Sequence, residues 1–180
     1  MNKLIAFVGM PGSGKTEATV YLQSKGFVRI RFGDIVEEEV KKRKLQINEK
    51  NERMIREELR EKYGMEAMAK LNIPKIENAL KKKNVVIDGL YSWEEYLLLK
   101  RIFPEMIVIA VYSSPKTRYK RLGKRPIRPL KVDECITRDY SQLEDLHTGG
   151  PIAMADYTII NEGTLAELKR NVDKILKSLS

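Results

Sequence analysis

The sequence predicts an α/β fold in three layers, a parallel sheet with helices on both faces. Three observations predict it. Strand-like and helix-like stretches alternate along the chain. The runs at 3–8, 84–88 and 106–112 are almost continuously apolar, as strands covered on both faces must be. The first of these runs ends in a glycine-rich loop that opens a helix.

The elements follow in order. Residues 3–8 (KLIAFV) read as a buried strand that ends at Gly9. A loop spans 9–16, and a helix over 16–25 stops near Gly26. Residues 27–31 (FVRIR) alternate as a strand does. The stretch 34–44 is a charged helix, with Glu37 before Lys41, Glu38 before Lys42 and Glu39 before Arg43 in the favourable i,i+4 order. A second charged helix over 49–63 stops at Gly64, and 66–83 is helical with a break near Pro74. Residues 84–88 (NVVID) are a strand with an acid at its carboxyl end, 93–102 a helix and 106–112 (MIVIAVY) the most apolar strand. Helices follow over 115–124 and 132–146, separated by Pro126 and Pro129. Gly149, Gly150 and Pro151 make a turn, and 157–161 (YTIIN) is the last strand. The helix over 164–179 is amphipathic: Leu165, Leu168, Val172, Ile175, Leu176 and Leu179 share a face, and Thr164 with Glu167 forms a capping box.

Composition bounds what this fold can do. At 180 residues the chain is long enough for one domain with a real core and no disulfides. Its 42% hydrophobic content is too high for a disordered chain. A single Cys excludes a disulfide scaffold and a multi-cysteine metal site, and a single His excludes a histidine-rich cluster. Cys135 reads as a small buried hydrophobe, Trp93 as a packing residue and His147 as a surface group. No apolar run approaches the ~20 residues needed to span a bilayer. The first ten residues read as a strand rather than a signal peptide, so a cytoplasmic protein with no membrane partner is expected.

The charge is concentrated. The net value is +9, and residues 116–131 carry eight cations with no acid, which leaves +1 for the rest. Such a segment reads as a clamp on a polyphosphate or, as the alternative, on a nucleic-acid backbone. No aromatic RNA-binding motif accompanies it, which makes nucleic acid the weaker of the two partners.

The motif that carries chemistry is Gly9-Met10-Pro11-Gly12-Ser13-Gly14-Lys15-Thr16, a complete G-x-x-x-x-G-K-[ST] between a strand and a helix. Its glycines let successive N–H groups turn inward toward phosphate oxygens, and the helix N-terminus adds to that field. Lys15 would reach the β- and γ-phosphates, and the Thr16 hydroxyl would ligate Mg²⁺. Asp88, at the end of its strand, is placed to hold that metal through water, to orient an acceptor, or to cap the next helix. Asp34, after Phe32-Gly33, is a helix cap or a ligand. A hydroxyl acceptor needs a base, and Asp34 or Asp88 would serve. Arg121, Arg125 and Arg138 are placed to close over the transferring phosphates and exclude water. Tyr91 is a candidate to stack on an acceptor ring.

These motifs, with Ile87-Asp88-Gly89, Arg121-x-x-x-Arg125, Ala155-Asp156-Tyr157 and Asn161-Glu162-Gly163, resemble the nucleoside monophosphate kinase family. Within it the sequence is similar to the archaeal adenylate-kinase-related proteins, described as predicted nucleotide kinases and similar to dephospho-coenzyme A kinase. The resemblance implies a P-loop NTPase fold with a five-stranded parallel sheet. It implies a core at 1–33, 71–124 and 139–180, a helical acceptor-binding insert at about 34–70 and a short lid at about 125–138. It implies ATP with Mg²⁺ as donor and a nucleotide or nucleotide-like small molecule as acceptor. Gly9, Pro11, Gly12, Ser13, Gly14, Lys15, Thr16 and Glu17 would hold the nucleotide, with Arg121 on adenine and Asn161 and Gly163 lining the base. Lys15, Asp88, Arg125 and Arg138 would be catalytic, Thr16 and Asp88 metal-binding, and Arg31, Asp34 and Tyr91 acceptor-binding. The chain departs from the family pattern where arginines grip an acceptor phosphate: Glu37 stands at one such position, and Leu90-Tyr91-Ser92-Trp93 covers the other. The alternative function is a P-loop ATPase or switch acting with RNA or a protein partner.

Overall fold

The computed structural model describes residues 2–126 and 128–179; Met1, Ile127 within the predicted lid, and Ser180 lie outside the described residues. The strands are β1 (Leu4–Val8), β2 (Val28–Arg31), β3 (Val85–Asp88), β4 (Ile107–Tyr112) and β5 (Tyr157–Ile160). The helices are α1 (Lys15–Ser24), α2 (Asp34–Lys42), α3 (Glu49–Tyr63), α4 (Ala67–Leu80), α5 (Trp93–Ile102), α6 (Pro115–Gly123), α7 (Val132–Glu144), α8 (Gly149–Ala153) and α9 (Leu165–Ser178). The sheet is parallel throughout, in the order β2-β3-β1-β4-β5.

Alternation along each strand divides the core in two. One face of β1 sends Leu4, Ala6 and Val8 toward Phe32, Val36, Val40, Ile55, Ile76 and Leu99. The other sends Ile5 and Phe7 toward Ala18 and Leu22 of α1 and Leu168 and Val172 of α9. β1 lies between β3 and β4, which cover its edges, and helices pack on both its faces, so its five residues are all buried. This accounts for its unbroken apolar run.

Local chemistry sets the helix ends. Ser92 and Glu95 form a capping box on α5, and Thr164 and Glu167 form the expected one on α9. Asn48 caps α3 by accepting from the Asn51 N–H at 2.9 Å. Three expectations are corrected. α4 runs through Pro74 without a break; the proline is exposed, and tertiary packing of Ala69, Asn72 and Ile76 keeps the helix together. The turn expected at Gly149-Gly150-Pro151 is the short helix α8. Only Glu39 takes its i,i+4 partner, Arg43; Glu37 turns to Arg31, and Glu38 turns to Lys75 of α4. On α9 the predicted stripe buries Leu168 and Val172 but leaves Leu165 46% exposed. Among the described residues no helix is long and apolar enough to cross a membrane.

Candidate functional site

Every segment expected to bear chemistry leaves the sheet at its carboxyl edge. The 9–14 loop follows β1, Phe32-Gly33-Asp34 follows β2, Asp88 closes β3, Ser113 follows β4 and Asn161 follows β5. With β1 flanked by strands that come later in the chain on both sides, this is the topological switch point at which open α/β sheets bind ligands.

The loop between β1 and α1 is fixed by what surrounds it. Gly9 adopts φ 144°, and a Cβ there would lie 2.3 Å from the Val111 carbonyl oxygen. Gly14 adopts φ 107°, and a Cβ there would lie 2.4 Å from Asn161 Nδ2. Asn161 instead donates from Nδ2 to the Ser13 carbonyl at 2.7 Å, so the turn after β5 props the loop. Lys15 is 7% exposed and donates to the carbonyls of Gly9 (2.6 Å) and Met10 (3.1 Å). Burial pushes its pKa down to about 8; Asp88 opposes that shift, and Arg118, Arg125 and Arg138 reinforce it. Thr16 and Glu17 stand exposed on the first turn of α1. Gly14, Glu17, Arg121, Asn161 and Gly163 line one open pocket with Leu165 and Leu168. Pro11 offers its carbonyl to Arg118 Nη1 at 3.1 Å.

Asp88 is 4% exposed and paired. Its Oδ2 accepts from Arg29 Nη2 and, at 3.1 Å, from Arg29 Nε. Arg31, the register partner of Asp88 across β2 and β3, donates from Nε to Asp34 Oδ1 at 2.6 Å and from Nη2 to Glu37 Oε1. Tyr91 lies against Gly89, with its ring centroid 5.8 Å from Lys15 Nζ. Burial raises its pKa, Asp88 and Glu95 add to the rise, and Arg138 and Arg31 oppose it. The structure thus gathers Lys15, Asp88, Arg31 and Tyr91 at one place, with Arg125 and Arg138 close enough to act on the Lys15 and Tyr91 charges.

The basic segment is less uniform than its sequence. Arg121 lies inside α6 and donates to Ser113 Oγ (3.0 Å) and the Gly163 carbonyl (3.1 Å). Arg125 lies beyond the end of α6 rather than on its face, is exposed, and has its pKa lowered by desolvation and by Arg138. Arg138 is exposed on α7. Arg118 is no clamp on solvent: it is 4% exposed and pairs bidentately with Asp139 at 2.8 and 2.7 Å. That pair fastens α6 to α7, and the same guanidinium holds the carbonyls of Ser113 and Pro11. Sequence reasoning missed Arg118, Asp139 and Ser113, and it offered Arg29 as a grip for an acceptor phosphate where the structure pairs it with Asp88. Arg118 precedes the buried Leu122 by four residues, and a cation at that spacing on a core-facing stripe was the available signal.

Glu95 was also missed, although Ser92-x-x-Glu95 is the capping-box pattern. Its Oε2 accepts from the N–H groups of Tyr91 (2.9 Å) and Ser92 (3.1 Å), which sets the turn that carries Tyr91. Oε1 is buried without a hydrogen bond. Burial lifts the carboxyl to about 7. A carboxyl raised above its unfolded value of 4.5 carries no penalty below that pH, and the penalty grows as pH climbs toward 7 and is full above it. Glu95→Gln, which keeps an oxygen for the two N–H groups, should therefore gain up to ~3 kcal/mol of stability at pH 8 and almost none at pH 4. Urea melts at the two pH values measure it, and an equal effect at both would refute the reading.

The group expected here besides nucleotide is Mg²⁺. Among the described residues no set of three or more His, Cys, Asp or Glu gathers to hold a metal. With Thr16 exposed on α1 and Asp88 at the end of β3, the residues present fit a hard cation that would take most of its ligands from phosphate and water.

Residues 5–147 match the family described as an AAA domain. The chain is 37% identical over 185 residues to the UPF0200 protein TK1334 of Thermococcus kodakarensis, across 98% of this chain and 100% of that one. It is 39% identical over 181 residues to a UPF0200 protein of Sulfurisphaera tokodaii, across 98% and 97%. The chain belongs to the UPF0200 family. This UPF0200 member shares its fold with shikimate kinase from Bacteroides thetaiotaomicron, at TM-score 0.61, 17% identity and 98% of each chain. It is also similar to a gluconokinase from Sinorhizobium meliloti, at TM-score 0.58, 15% identity and 98% and 95% coverage. The UPF0200 chain therefore has the five-stranded parallel sheet of P-loop kinases.

Proposed function

We propose that this protein is a kinase that transfers the γ-phosphate of ATP to a small-molecule acceptor. One observation carries the reading: a complete glycine loop at the carboxyl edge of the sheet surrounds a buried ammonium that donates to the Gly9 and Met10 carbonyls, with burial first and then Arg118, Arg125 and Arg138 disfavouring its charge. A cation in that surrounding is relieved when a polyanion arrives. The resemblance to nucleoside monophosphate kinases and the fold shared with shikimate kinase and gluconokinase support it.

On this reading the 9–16 loop holds the β- and γ-phosphates through its amides and Lys15. The pocket of Gly14, Glu17, Arg121, Asn161 and Gly163 takes the base. Thr16 and Asp88 hold the magnesium, which when bound neutralises developing phosphate charge. Arg125 and Arg138 come from a lid at about 125–138 and balance charge on the transferring group. Arg31, Asp34 and Tyr91 face the acceptor, and the helices of about 34–70 enclose it. The RNA-dependent alternative has less support, because Arg118 of the basic segment is buried against Asp139 and Arg121 is tied to Ser113 and Gly163.

Titration of ATP with magnesium in a calorimeter tests the donor half and should also show a pH dependence. Phosphate beside Lys15 raises its pKa above the free value of about 8, so binding takes up a proton at alkaline pH. Affinity is then full below pH 8 and falls above it, about tenfold between pH 7 and pH 9. Absence of binding at pH 7 would remove the function proposed; a flat profile would remove the role of Lys15.

A further inference from the structure

The acceptor edge differs in charge from one built to hold a phosphate. Both arginines that β2 sends to it are engaged by acid, while Arg125 and Arg138 act on Tyr91 from the far side. Arg29 is held by Asp88, and Arg31 by Asp34 and Glu37 together. The Arg31 cluster is the open one: the side chains of Arg31, Asp34 and Glu37 are 41%, 48% and 34% exposed. It carries two carboxylates against one guanidinium, a net negative charge beside the Arg31–Asp88 register pair. A phosphate dianion arriving there would have to displace a carboxylate from Arg31 and would meet the other. A molecule bearing neutral hydroxyl groups meets the opposite situation, since each carboxylate has a lone pair free to accept an O–H and the guanidinium remains a donor.

We propose that the acceptor is a polyhydroxylated compound without a phosphate group, and that Glu37 determines this by occupying Arg31. The inference rests on the kinase reading above and names its substrate class. Asp88 is buried and assigned to the magnesium, whereas Asp34, though its Oδ1 accepts from Arg31, is 48% exposed at the open cluster, which assigns the proton to Asp34. In the transfer the acceptor hydroxyl oxygen bonds to the γ-phosphorus and the bond to the β–γ bridging oxygen breaks. ADP leaves, and the hydroxyl proton passes to Asp34.

Glu37→Gln makes the proposal testable as a gain, which a damaged fold cannot imitate. Glutamine keeps the size of the side chain and removes the charge that holds Arg31. Two measurements are made on both proteins: calorimetric binding of AMP and of inorganic phosphate without ATP, and ADP release with ribose, glycerol, myo-inositol, AMP or CMP present. The wild type should release ADP with at least one polyol and not with AMP or CMP. It should bind AMP and phosphate at least tenfold more weakly than Glu37→Gln does. Tight AMP or CMP binding by the wild type, unchanged monophosphate affinity in Glu37→Gln, or ADP release that no polyol stimulates overturns the proposal. If ATP itself fails to bind, the kinase reading falls and takes the transfer step with it. The monophosphate titrations still decide the assignment of Glu37, because they contain no ATP.

Discussion

On the kinase reading, replacing Lys15 by alanine should cut acceptor-dependent ADP release by about 10²–10³ and leave the fold at least as stable as before. The two halves of this result have one origin. The lysine is buried and donates to two loop carbonyls, and its pKa is about 8 against an ordinary 10.5. That depression is a penalty on the charged folded state, on the order of 3 kcal/mol at neutral pH. It is largest below pH 8, shrinks between 8 and 10.5, and vanishes once the unfolded chain also loses the proton. Alanine removes the penalty and leaves the glycine loop, whose shape is set by Gly9, Gly14 and the Asn161 prop. Chemistry fares differently. A preorganised cation facing a transferring phosphate contributes as other charge-stabilising donors do, and losing one costs about 10²–10³ in rate. Thermal melts at pH 7 and an ADP-release assay check the pair. A variant that melts well below the wild type, or turns over at a comparable rate, would contradict the assignment.

Asp139→Ala has the largest effect expected on stability. Asp139 is 6% exposed, accepts both bonds of the Arg118 fork and also accepts from Tyr119 Oη at 2.8 Å. Removing it leaves a guanidinium buried without compensation, which costs about 3–5 kcal/mol. For a domain of this size that lowers Tm by roughly 6–20 °C. Activity should fall as well, because Arg118 also holds the carbonyl of Pro11 within the glycine loop and that of Ser113 after β4. The double variant Arg118→Met, Asp139→Leu separates the effects: apolar replacements restore most of the melting temperature, and the loop tie stays broken. Differential scanning calorimetry on the three proteins gives the answer. A fully active double variant would show that the tie to the loop has no bearing on turnover.

The contrast between these residues shows what the chain discloses by itself. Lys15 belongs to eight consecutive positions whose glycines and basic residue are each required by one local geometry, so the loop is visible in the string. The same holds for β1, whose apolar run reflects cover on both faces, and for Thr164 and Glu167, which meet within one turn. Arg118 and Asp139 meet across two helices, and Arg29 and Asp88 across neighbouring strands from 59 positions apart. Nothing periodic joins such partners, so the eight cations of 116–131 read as one patch although Arg118 is a buried strut. The same limit applies at the acceptor edge. Glu37 was seen as a departure from a pattern; that it takes Arg31 rather than Lys41 depends on where β2 ends relative to α2. Pro74 misled for the opposite reason, since a local rule was outweighed by packing around α4.

The sheet order also governs how the molecule is made. β1 precedes the other four strands of the sheet, yet both strands that flank it come much later, at 85–88 and 107–112. A chain emerging from the ribosome therefore exposes a strand that ends fully buried long before a neighbour exists to pair with it. The helices between β2 and β3 can form early from local contacts, while the glycine loop gains its surroundings only with Val111 of β4 and Asn161 after β5. Ligand competence is thus completed late in vectorial folding.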